Sequence, residues 1–598
     1  MKLQKCNKQS ATALIVVLSV LATLLVTVAI AVEYTTVIHR NVQRSRWLEN
    51  AIAIGDGSTD MLFGYWRETC RGNTNYPMPT SYFAAIPLPT STQFPDVTNF
   101  SATRNVDTSG AFTISNYNVQ AVDPQLNSIA SDVQPPPSIG MSANSATYNY
   151  LASADVTLPA LRGNLTAKVR RVFQKQQLSP WNWAIFYVDV LEMHPGPPFT
   201  VTGWVHTNGD LYTGHNTLSF ADKVTYGRDW TIGFAPGDPR SPSGAAPETP
   251  TSPAFLSNLP PAMDVAHQPF GLDSTRILST TDTNPNNDSY HELIEQAVSG
   301  YSDPLAGSRY YDQAGVKITI DSSNNVTIRN AAGTVVTNSS TGSDKQLYTT
   351  FSNAITTNQT IQDNREASSV RLATLDVSNV TSAIANGTLT NFNDIIYITD
   401  TSAAANGVGA KRGIRLKNGT ILPQGGLTIA SGNPVYIQGD YNTGGANPPS
   451  NSGNYSQPQV SGYTRQPSSV VADSVNILSN SWTDANSFAG LSSRIASNTT
   501  VNTAILAGIV PSAGNVYSGG AENFPRFLED WSGGKTLTYY GSMVELYKSQ
   551  QSIGAWGKDN VYVPPNRQWF FDKTFQVYTP PGSLMVYSYV KGRWFLAP

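Results

Sequence analysis

Apolar residues form one long block near the N-terminus and many short alternating runs over the rest of the chain. The run from Ala11 to Val32 contains no charged residue, Pro or Gly. It predicts a helix that can cross a bilayer, for which about 20 apolar residues suffice. A secretory signal has a shorter apolar core of roughly 7–15 residues, so the length favours a retained helix over a cleaved signal.

The segment that follows continues the helical pattern beyond the membrane. "EYTTVIHRNVQRSRWLENAIAI" has no Gly or Pro, and its apolar residues recur at roughly helical spacing, at Ile38, Val42, Leu48 and Ile52. A plain anchor could end at the membrane interface. The amphipathic continuation through Trp66 instead predicts a rod that leaves the membrane as part of the same helix.

Short alternating runs bounded by Asn, Gly and Asp fill the rest of the chain. "GWVHTNGDLYT", "DIIYITD", "LTIASGNPVYIQGDY" and "KTLTYYGSMVELY" are typical of strands that end in tight turns. We predict a mainly β fold with a long N-terminal α-helix, in which the exported domain is an irregular β-solenoid or sandwich-like. One helical stretch, "DSYHELIEQAV", interrupts the strands, with Asp288 or Ser289 as its N-cap.

Composition divides the chain into four parts. We predict a cytoplasmic leader at 1–10, a transmembrane and emergent helix at 11–70 and a mixed membrane-proximal domain at 71–200. A β-rich domain at 201–598 follows, with long Pro/Gly loops and an aromatic C-terminal cap. Expressed without the helix, residues 71–598 are expected to be soluble and rich in strands.

Charge excludes one class of partner and leaves the orientation to other features. Charged residues make up 13% of the chain and the net charge is -3, so we expect no nucleic-acid partner, which would need a basic surface. Basic residues flank the apolar run on both sides. The Asn/Thr/Gly-rich remainder is typical of exported chains. We therefore predict a single-pass protein of the inner (cytoplasmic) membrane, in contact with the lipid bilayer, with the bulk of the chain in the periplasm or on the cell surface.

Fragments that resemble catalytic or metal-binding motifs lack the required spacing. "HELIE" at His291 has Glu295 where a zinc site needs its second His, which favours an exposed helix face. "DTNPNND" from Asp282 lacks the central Gly of a calcium loop. Asp210 and Asp440 each follow Gly at a strand end and are interpreted as turn residues. We predict no catalytic residues, no metal, no cofactor and no enzymatic activity.

An aromatic block near the C-terminus allows two interpretations. It contains Trp531, Trp569, Arg526, Arg567 and Asp572. In the favoured interpretation Arg and Asp pair beside buried aromatic rings in a packed cap. In the other, Trp531, Trp569 and Arg526 form an interface for assembly or binding, because Trp and Arg are common interface anchors.

Two N-terminal segments, "KQSATALIVVLSVLATLLVTVAIA" and "VIHRNVQRSRWLENAIAIGDGSTDMLFGYWRE", together contain the end of a short Lys-rich leader, a small residue, an "ALIVVL" opening and an emergent helix rich in Arg and Ala. In these features the N-terminus resembles that of PilX-type pilus assembly proteins, which are minor pilin-like subunits of type IV pili. The resemblance implies a structural role in type IV pilus or pseudopilus assembly or surface display. Its implied partners are other pilin-like subunits and an inner-membrane assembly platform.

Two positions depart from the prepilin pattern. A leader would be cut in the region of Ser10, Ala11 and Thr12, where Ser10 or Ala11 replaces the usual Gly. The fifth mature residue of the assembly helix, usually Glu, is Ile15 or Val16 according to the cut. A subunit without this carboxylate is expected at the tip of a filament and in low copy number.

The alternative function is a membrane-anchored carbohydrate-active enzyme or carbohydrate-binding protein on a β-solenoid. A groove with two or more convergent carboxylates favours this alternative. A featureless sheet with an exposed aromatic patch favours assembly.

Overall fold

The computed structural model shows the predicted mainly β fold with a long N-terminal helix. It describes residues 7–71, 77–89, 93, 100–102, 112–139, 145–160, 163–244, 246–256, 262–263, 281–402, 411–444, 465–510, 517–556 and 560–598. Cys6, the leader residues before Asn7 and the Pro/Gly-rich stretch 445–464 lie outside the described residues.

The N-terminal helix α1 (Asn7–Arg71) is 65 residues long, as the uninterrupted apolar and amphipathic pattern predicts. At 1.5 Å per residue its length is about 100 Å. It ends where the Pro- and Gly-containing sequence "RGNTNYPMP" begins, since Pro removes a helical hydrogen bond and Gly weakens the helix.

The first sheet packs on the C-terminal part of α1. Its strands are β1 (Phe100–Ala102), β2 (Phe112–Val122), β3 (Ser138–Ile139), β4 (Ala146–Ala160) and β5 (Gly163–Leu178). Strands β2, β4 and β5 are antiparallel neighbours, β1 pairs in parallel with β2, and β3 pairs with β4. Their shared core with the helix includes Ala51, Leu62, Phe63, Trp66, Cys70, Ile114, Val119, Tyr150, Ala154, Val156 and Phe173.

The chain then forms the first arm of a β-solenoid, residues 185–263, with three strands in each complete turn. Its strands are β6 (Ile185–Tyr187), β7 (Leu191–Met193), β8 (Phe199–Val201), β9 (Val205–Thr207), β10 (Leu211–Thr213), β11 (Leu218–Phe220), β12 (Val224–Tyr226), β13 (Trp230–Ile232), β14 (Ala254–Phe255) and β15 (Ala262–Met263). They stack in parallel as β6-β9-β12-β15, β7-β10-β13 and β8-β11-β14. Apolar residues therefore stack on apolar residues, as Ile185 does on Val205 and Leu191 on Leu211.

The second arm, residues 316–571, begins with a hairpin and helices and continues as parallel stacks. It follows α2 (Tyr310–Gln313). Its elements are β16 (Val316–Ile320), β17 (Val326–Asn330), β18 (Val335–Val336), α3 (Gly342–Ala354), β19 (Ile355–Asp363), β20 (Ser368–Asp376), α4 (Val377–Ala385), β21 (Ile395–Asp400), β22 (Lys411–Lys417), β23 (Leu427–Ala430), β24 (Val435–Gln438), β25 (Ser468–Ala472), β26 (Val475–Leu478), β27 (Thr499–Ile509), β28 (Pro525–Phe527), β29 (Thr536–Lys548) and β30 (Asn566–Phe571). The stacks are β21-β23-β25-β27-β29 and β20-β22-β24-β26-β28.

The two arms join where β6 pairs in parallel with β29, with Ile185 opposite Met543. This pairing makes one 13-stranded sheet that runs through both arms. In the first arm, strands that come later in the chain lie farther from the junction, whereas in the second arm they lie nearer to it. The strand order therefore reverses at this junction. Parallel stacking in both arms identifies the solenoid and not the sandwich among the predicted architectures.

The last strand, β31 (Val586–Leu596), returns to the first sheet and pairs antiparallel with β5. Val586 lies opposite Leu178, so the solenoid is inserted between two neighbouring strands of that sheet. The backbone N–H of Ala597 donates to the carbonyl of Lys168 at 2.8 Å. The four-part division by composition stays a prediction, and this pairing joins residues that it assigns to different parts.

Two expectations change with the structure. Removal of residues before 71 would take away buried core residues of α1, including Trp66, so we now expect residues 71–598 to expose the core of the first sheet. The helical stretch near His291 is a short 3-10 helix (Tyr290–Ile294), for which Ser289 is the N-cap and Glu292 completes a capping box. The prediction that this helix presents an exposed face is wrong, because His291 and Glu292 are buried.

Candidate membrane and assembly helix

The N-terminal part of α1 is apolar and projects from the folded body. From Leu14 to Val32 the large apolar side chains are between 51% and 63% exposed. The most apolar window of the helix has a mean hydropathy of 2.9 and is 0% buried. A continuous apolar surface of this size on a soluble body needs a covering phase or partner. The helix is therefore a candidate single membrane span.

Three hydroxyl side chains within this apolar segment are satisfied by the helix itself. The hydroxyls of Ser19, Thr23 and Thr27 donate to the carbonyls of Ile15, Ser19 and Thr23, each at 2.8 Å. Their spacing of four residues places them on one face of the helix. Small residues on one face let a neighbouring helix approach closely in an apolar medium. This face, Ser19/Thr23/Thr27, is the small-residue face of α1.

A polar stalk separates the apolar segment from the body. It runs from Glu33 to about residue 47, where Val37, Ile38 and Val42 are still 44–47% exposed. At 1.5 Å per residue this stalk spans roughly 20 Å. Leu48 and Ile52 are the first predicted apolar positions that pack against the core of the first sheet.

Beyond the stalk, α1 becomes an integral part of the body. Trp66 is 0% exposed, and its ring centroid lies 5.2 Å from that of Tyr150, 5.3 Å from Phe173 and 5.6 Å from Tyr589. This aromatic cluster joins the helix to β4, β5 and β31. Displacement of α1 would expose all of these rings.

Ion pairs reinforce the same contact on the side that faces solvent. Arg171 of β5 pairs with both Asp56 and Asp60 of α1. Lys591 of β31 also reaches Asp60, with 3.0 Å between Nζ and Oδ1. The helix is thus held to two adjacent strands by charge as well as by the aromatic core.

The predicted leader and assembly residues lie in the projecting segment. Ser10 falls within α1, and Ala11, Thr12, Ile15 and Val16 are exposed on it. The apolar run contains no carboxylate. Cleavage near Ala11 and the assembly role of Ile15 and Val16 stay predictions.

The predicted interface residues are buried inside the solenoid. Trp531 is 1% exposed, and Trp569 and Arg526 are each 4% exposed. Arg526 pairs with Glu366 at 2.8 Å, and the ring of Trp569 meets that of Phe199 edge to face at 5.3 Å. These contacts support the packed interpretation of the aromatic block, and an interface role for the three residues is untested.

Arg and Asp pair beside the aromatic rings, as the packed interpretation requires. Asp572 pairs with Arg465, whose Nε donates at 2.9 Å, and the Arg567 guanidinium lies 5.4 Å from the centroid of the Trp569 ring. Arg465 was not singled out in the sequence, because it is distant along the chain from Asp572.

His291 has a structural role that its sequence motif did not reveal. Its Nδ1 meets Glu295, and its Nε2 lies 3.0 Å from Asp473 Oδ1. Burial alone lowers the pKa of His291, but the hydrogen bonds to Asp473 and Glu295 outweigh burial and raise the pKa to about 9. The buried imidazolium therefore links a loop to the second arm. No group of three His, Cys, Asp or Glu residues suited to a metal occurs among the described residues.

Asp210 and Asp440, which are predicted to lie in tight turns, each accept a hydrogen bond from a neighbouring coil of the solenoid. Asp210 Oδ1 accepts from the N–H of Asp229 at 3.3 Å, and Asp440 Oδ1 accepts from that of Thr500 at 2.8 Å. Asp282 accepts from the N–H of Asn284 within its own turn. The turn interpretation of Asp210 and Asp440 is confirmed.

Sequence reasoning missed a cavity at the junction of the two arms. Its lining residues are Tyr187, Asp189, Val190, Glu192, Ala235, Pro236, Ile509, Ser518, Gly520 and Lys548. They come from distant parts of the chain, so no local motif announces them. Its acidic residues are Asp189 and Glu192, and Oε1 of Glu192 is already engaged by the N–H of Ala235.

Comparisons with known proteins add one distant similarity. No family model matches the chain, and no curated protein matches it. Among solved structures the chain is similar to the competence-associated pilin ComZ from Thermus thermophilus. The identity is 12%, the match covers 80% of this chain and 88% of that chain, and the TM-score is 0.24. A similarity of this size establishes neither fold nor function.

Proposed function

We propose that the chain is a membrane-anchored, pilin-like structural protein, similar to PilX-type minor pilins, that contributes to type IV pilus or pseudopilus assembly or surface display. The observation that carries this proposal is the division of α1. Its apolar segment is wholly exposed, whereas the part from Ala51 to Cys70 is core of the first sheet. One continuous helix thus connects the proposed membrane span to the folded body.

The division of α1 gives a direct assembly mechanism. In the bilayer, lipid surrounds the apolar segment. In a filament, the apolar segments of neighbouring subunits replace lipid, and packing decides the balance because lipid tails are as apolar as the side chains. The small-residue face, Ser19/Thr23/Thr27, is where a neighbouring helix can approach most closely.

The absence of a carboxylate at Ile15 or Val16 limits where such a subunit can act. A buried carboxylate in an apolar phase needs a partner charge, and apolar side chains at these positions cannot pair with a neighbour's N-terminal amine. The subunit would therefore sit at a filament tip, where no earlier amine has to be met. The leader would be cytoplasmic and the sheet and solenoid would be periplasmic or surface-exposed.

Mass spectrometry of the native N-terminus tests the assembly role against that of a plain anchor. We expect a chain that begins at Ala11 or Thr12, because processing would leave the apolar helix as the mature N-terminus. An intact N-terminus at Met1 or Lys2 would favour a plain anchor. A start beyond Val32 would contradict both roles, because the apolar segment would be lost.

A further inference from the structure

The cavity at the junction of the two solenoid arms has a volume of about 260 Å³. It lies at the carboxyl ends of three neighbouring parallel strands, since Tyr187 ends β6, Ile509 ends β27 and Lys548 ends β29. The strand order reverses at this junction, which leaves space between the turns that leave the two arms. Clefts between packed units are common ligand sites.

Two charged side chains in the wall are not engaged elsewhere. Asp189 is half-buried and Lys548 is exposed, and both line the cavity. Within the described part of the chain, neither side chain makes a hydrogen bond or an ion pair. The Asp189 carboxylate can accept hydrogen bonds, and the Lys548 ammonium can donate them.

Tyr187 supplies a buried polar group in the same wall. It is 2% exposed, and its hydroxyl has no hydrogen-bond partner among the described residues. Burial, followed by the negative charges of Glu545 and Glu522, raises the pKa of Tyr187 well above its usual value. The hydroxyl therefore keeps its proton. A buried donor without a partner is costly. Because the hydroxyl is enclosed in this structure, a ligand oxygen would reach it only after the wall moves.

Glu192 adds a second carboxyl group. It is 4% exposed, and its Oε1 accepts from the N–H of Ala235 at 2.8 Å. Burial and the neighbouring Asp238 raise the pKa of Glu192 well above its usual range. Glu192 is therefore a weaker acid than usual, and its carboxyl group already interacts with Asp238 behind the cavity wall.

Apolar groups complete the wall. Val190, Ala235, Pro236 and Ile509 contribute aliphatic surface beside these polar groups. The cavity thus offers the Asp189 acceptor, the Lys548 donor and an apolar surface within a volume slightly below that of drug-sized sites.

We propose that this cavity binds a single sugar ring of a glycan. The hydroxyls of a sugar both donate and accept, which suits the Asp189 carboxylate and the Lys548 ammonium in the same wall. The C–H face of the ring suits the aliphatic surface. An isolated cation fits less well, because the Lys548 ammonium lies in the same wall.

Saturation-transfer NMR on the full-length protein in nanodiscs tests this proposal. The probes are the methyl glycosides of glucose, galactose, mannose and N-acetylglucosamine, with N-acetyl-lysine amide as the cationic alternative. We expect at least one glycoside to receive saturation. Asp189→Asn and Lys548→Ala should each weaken its binding about tenfold, in line with the loss of one charge-assisted hydrogen bond.

Matched controls use charged residues on the same solenoid outside the cavity. Asp229→Asn and Lys535→Ala should leave binding unchanged, and all four variants should melt within a few degrees of the parent protein. Absence of transfer to every glycoside would overturn the proposal. So would equal affinity in the parent and Asp189→Asn, or saturation transfer to N-acetyl-lysine amide and to none of the glycosides.

Discussion

Gly55 of α1 lies at the closest approach of the helix to the first sheet. A Cβ at this position would overlap Cγ2 of Val169 and lie 2.9 Å from its Cβ. Gly64, in the same helix, has nothing within 4 Å of the position of its missing Cβ. An Ala substitution improves helix propensity equally at Gly55 and Gly64, but it creates a steric overlap only at Gly55. A comparison of the two variants therefore isolates the effect of packing.

The pair gives a matched test of how tightly α1 packs. We expect Gly64→Ala to raise the free energy of unfolding by about 0.5–1 kcal/mol through helix propensity. Gly55→Ala gains the same amount but costs about 1–3 kcal/mol in overpacking, so the free energy of unfolding should stay level or fall. Denaturant unfolding followed by tryptophan fluorescence measures both changes. Equal increases in the two variants would show that α1 is not seated on β5.

Two buried groups make stability depend on pH in the same direction. Burial, and then the charge of Asp189, raises the pKa of Glu545 from 4.5 to about 8. The pKa of His291 is raised from 6.5 to about 9. In both cases the folded chain binds the proton more tightly than the unfolded chain. The contribution of Glu545 is therefore lost between pH 4.5 and about 8, and that of His291 as pH rises from 6.5 through about 9.

We accordingly expect the free energy of unfolding to fall between about pH 5 and about pH 9. Glu545→Gln should reduce this fall below about pH 8, because Gln keeps an oxygen to accept from the N–H groups of Val188 and Asp189 without ionising. Part of the fall should persist below about pH 7, because burial also raises the pKa of Glu529 to about 7. The remaining fall, at higher pH, should come from His291. Urea titrations at several pH values measure the effect, with Asp229→Asn as the exposed control. A stability that rises with pH in the parent protein would contradict this assignment.

At the scale of single residues, the sequence predicts features set by neighbouring residues and misses contacts between residues that are far apart along the chain. The cap at Ser289 depends on neighbours within a few residues, so its pattern is visible. Asp210 and Asp440 are recognisable from the Gly before each of them, but their partners, Asp229 and Thr500, are 19 and 60 residues away. The burial of His291 depends on Asp473, which is 182 residues away. No spacing rule could have found that pair, or the cavity that holds Asp189.

At the scale of elements, α1 changes near Leu48 from a projecting, exposed helix to a helix packed on the first sheet. The sequence predicts a continuous helix but not the strands on which its C-terminal part packs, because the partners come from both ends of the chain. Each strand is visible from its alternation. The stacking of strands is not, because residues that stack are separated by unequal distances, as in Ile396, Ile429, Val470 and Ile505. Unequal turn lengths hide the period of the solenoid.

Two shortened chains test the structural role of α1. A chain that begins at Tyr34 lacks the apolar segment but keeps Phe63 and Trp66, so it should be soluble, monomeric and cooperatively folded. A chain that begins at residue 72 loses both aromatic side chains, and burial of such rings typically contributes about 3–5 kcal/mol each. It should expose the sheet and aggregate.

Size-exclusion chromatography and circular dichroism distinguish the two chains. The chain from Tyr34 also serves as the control for loss of the membrane span alone. Equal solubility and equal unfolding transitions in the two chains would show that the first sheet does not need the helix, contrary to the shared core.

At the scale of the whole molecule, the solenoid is an insertion carried by the helix and the first sheet. The chain enters it after Leu178 and leaves it before Val586, which are paired neighbours in the sheet. A body joined by two adjacent strands is held at a defined orientation relative to α1. This arrangement suits a subunit that anchors through its helix and displays a large surface.

The most direct test of the assembly role is to measure this protein in filaments sheared from intact cells. Quantitative mass spectrometry would compare its solenoid peptides with peptides of a Glu-bearing major pilin, and an inner-membrane marker would report contamination. We expect the protein in the filament fraction at low copy number relative to the major pilin, and fewer filaments when its gene is deleted. Recovery only with the membrane marker, together with normal piliation after deletion, would contradict the proposed role.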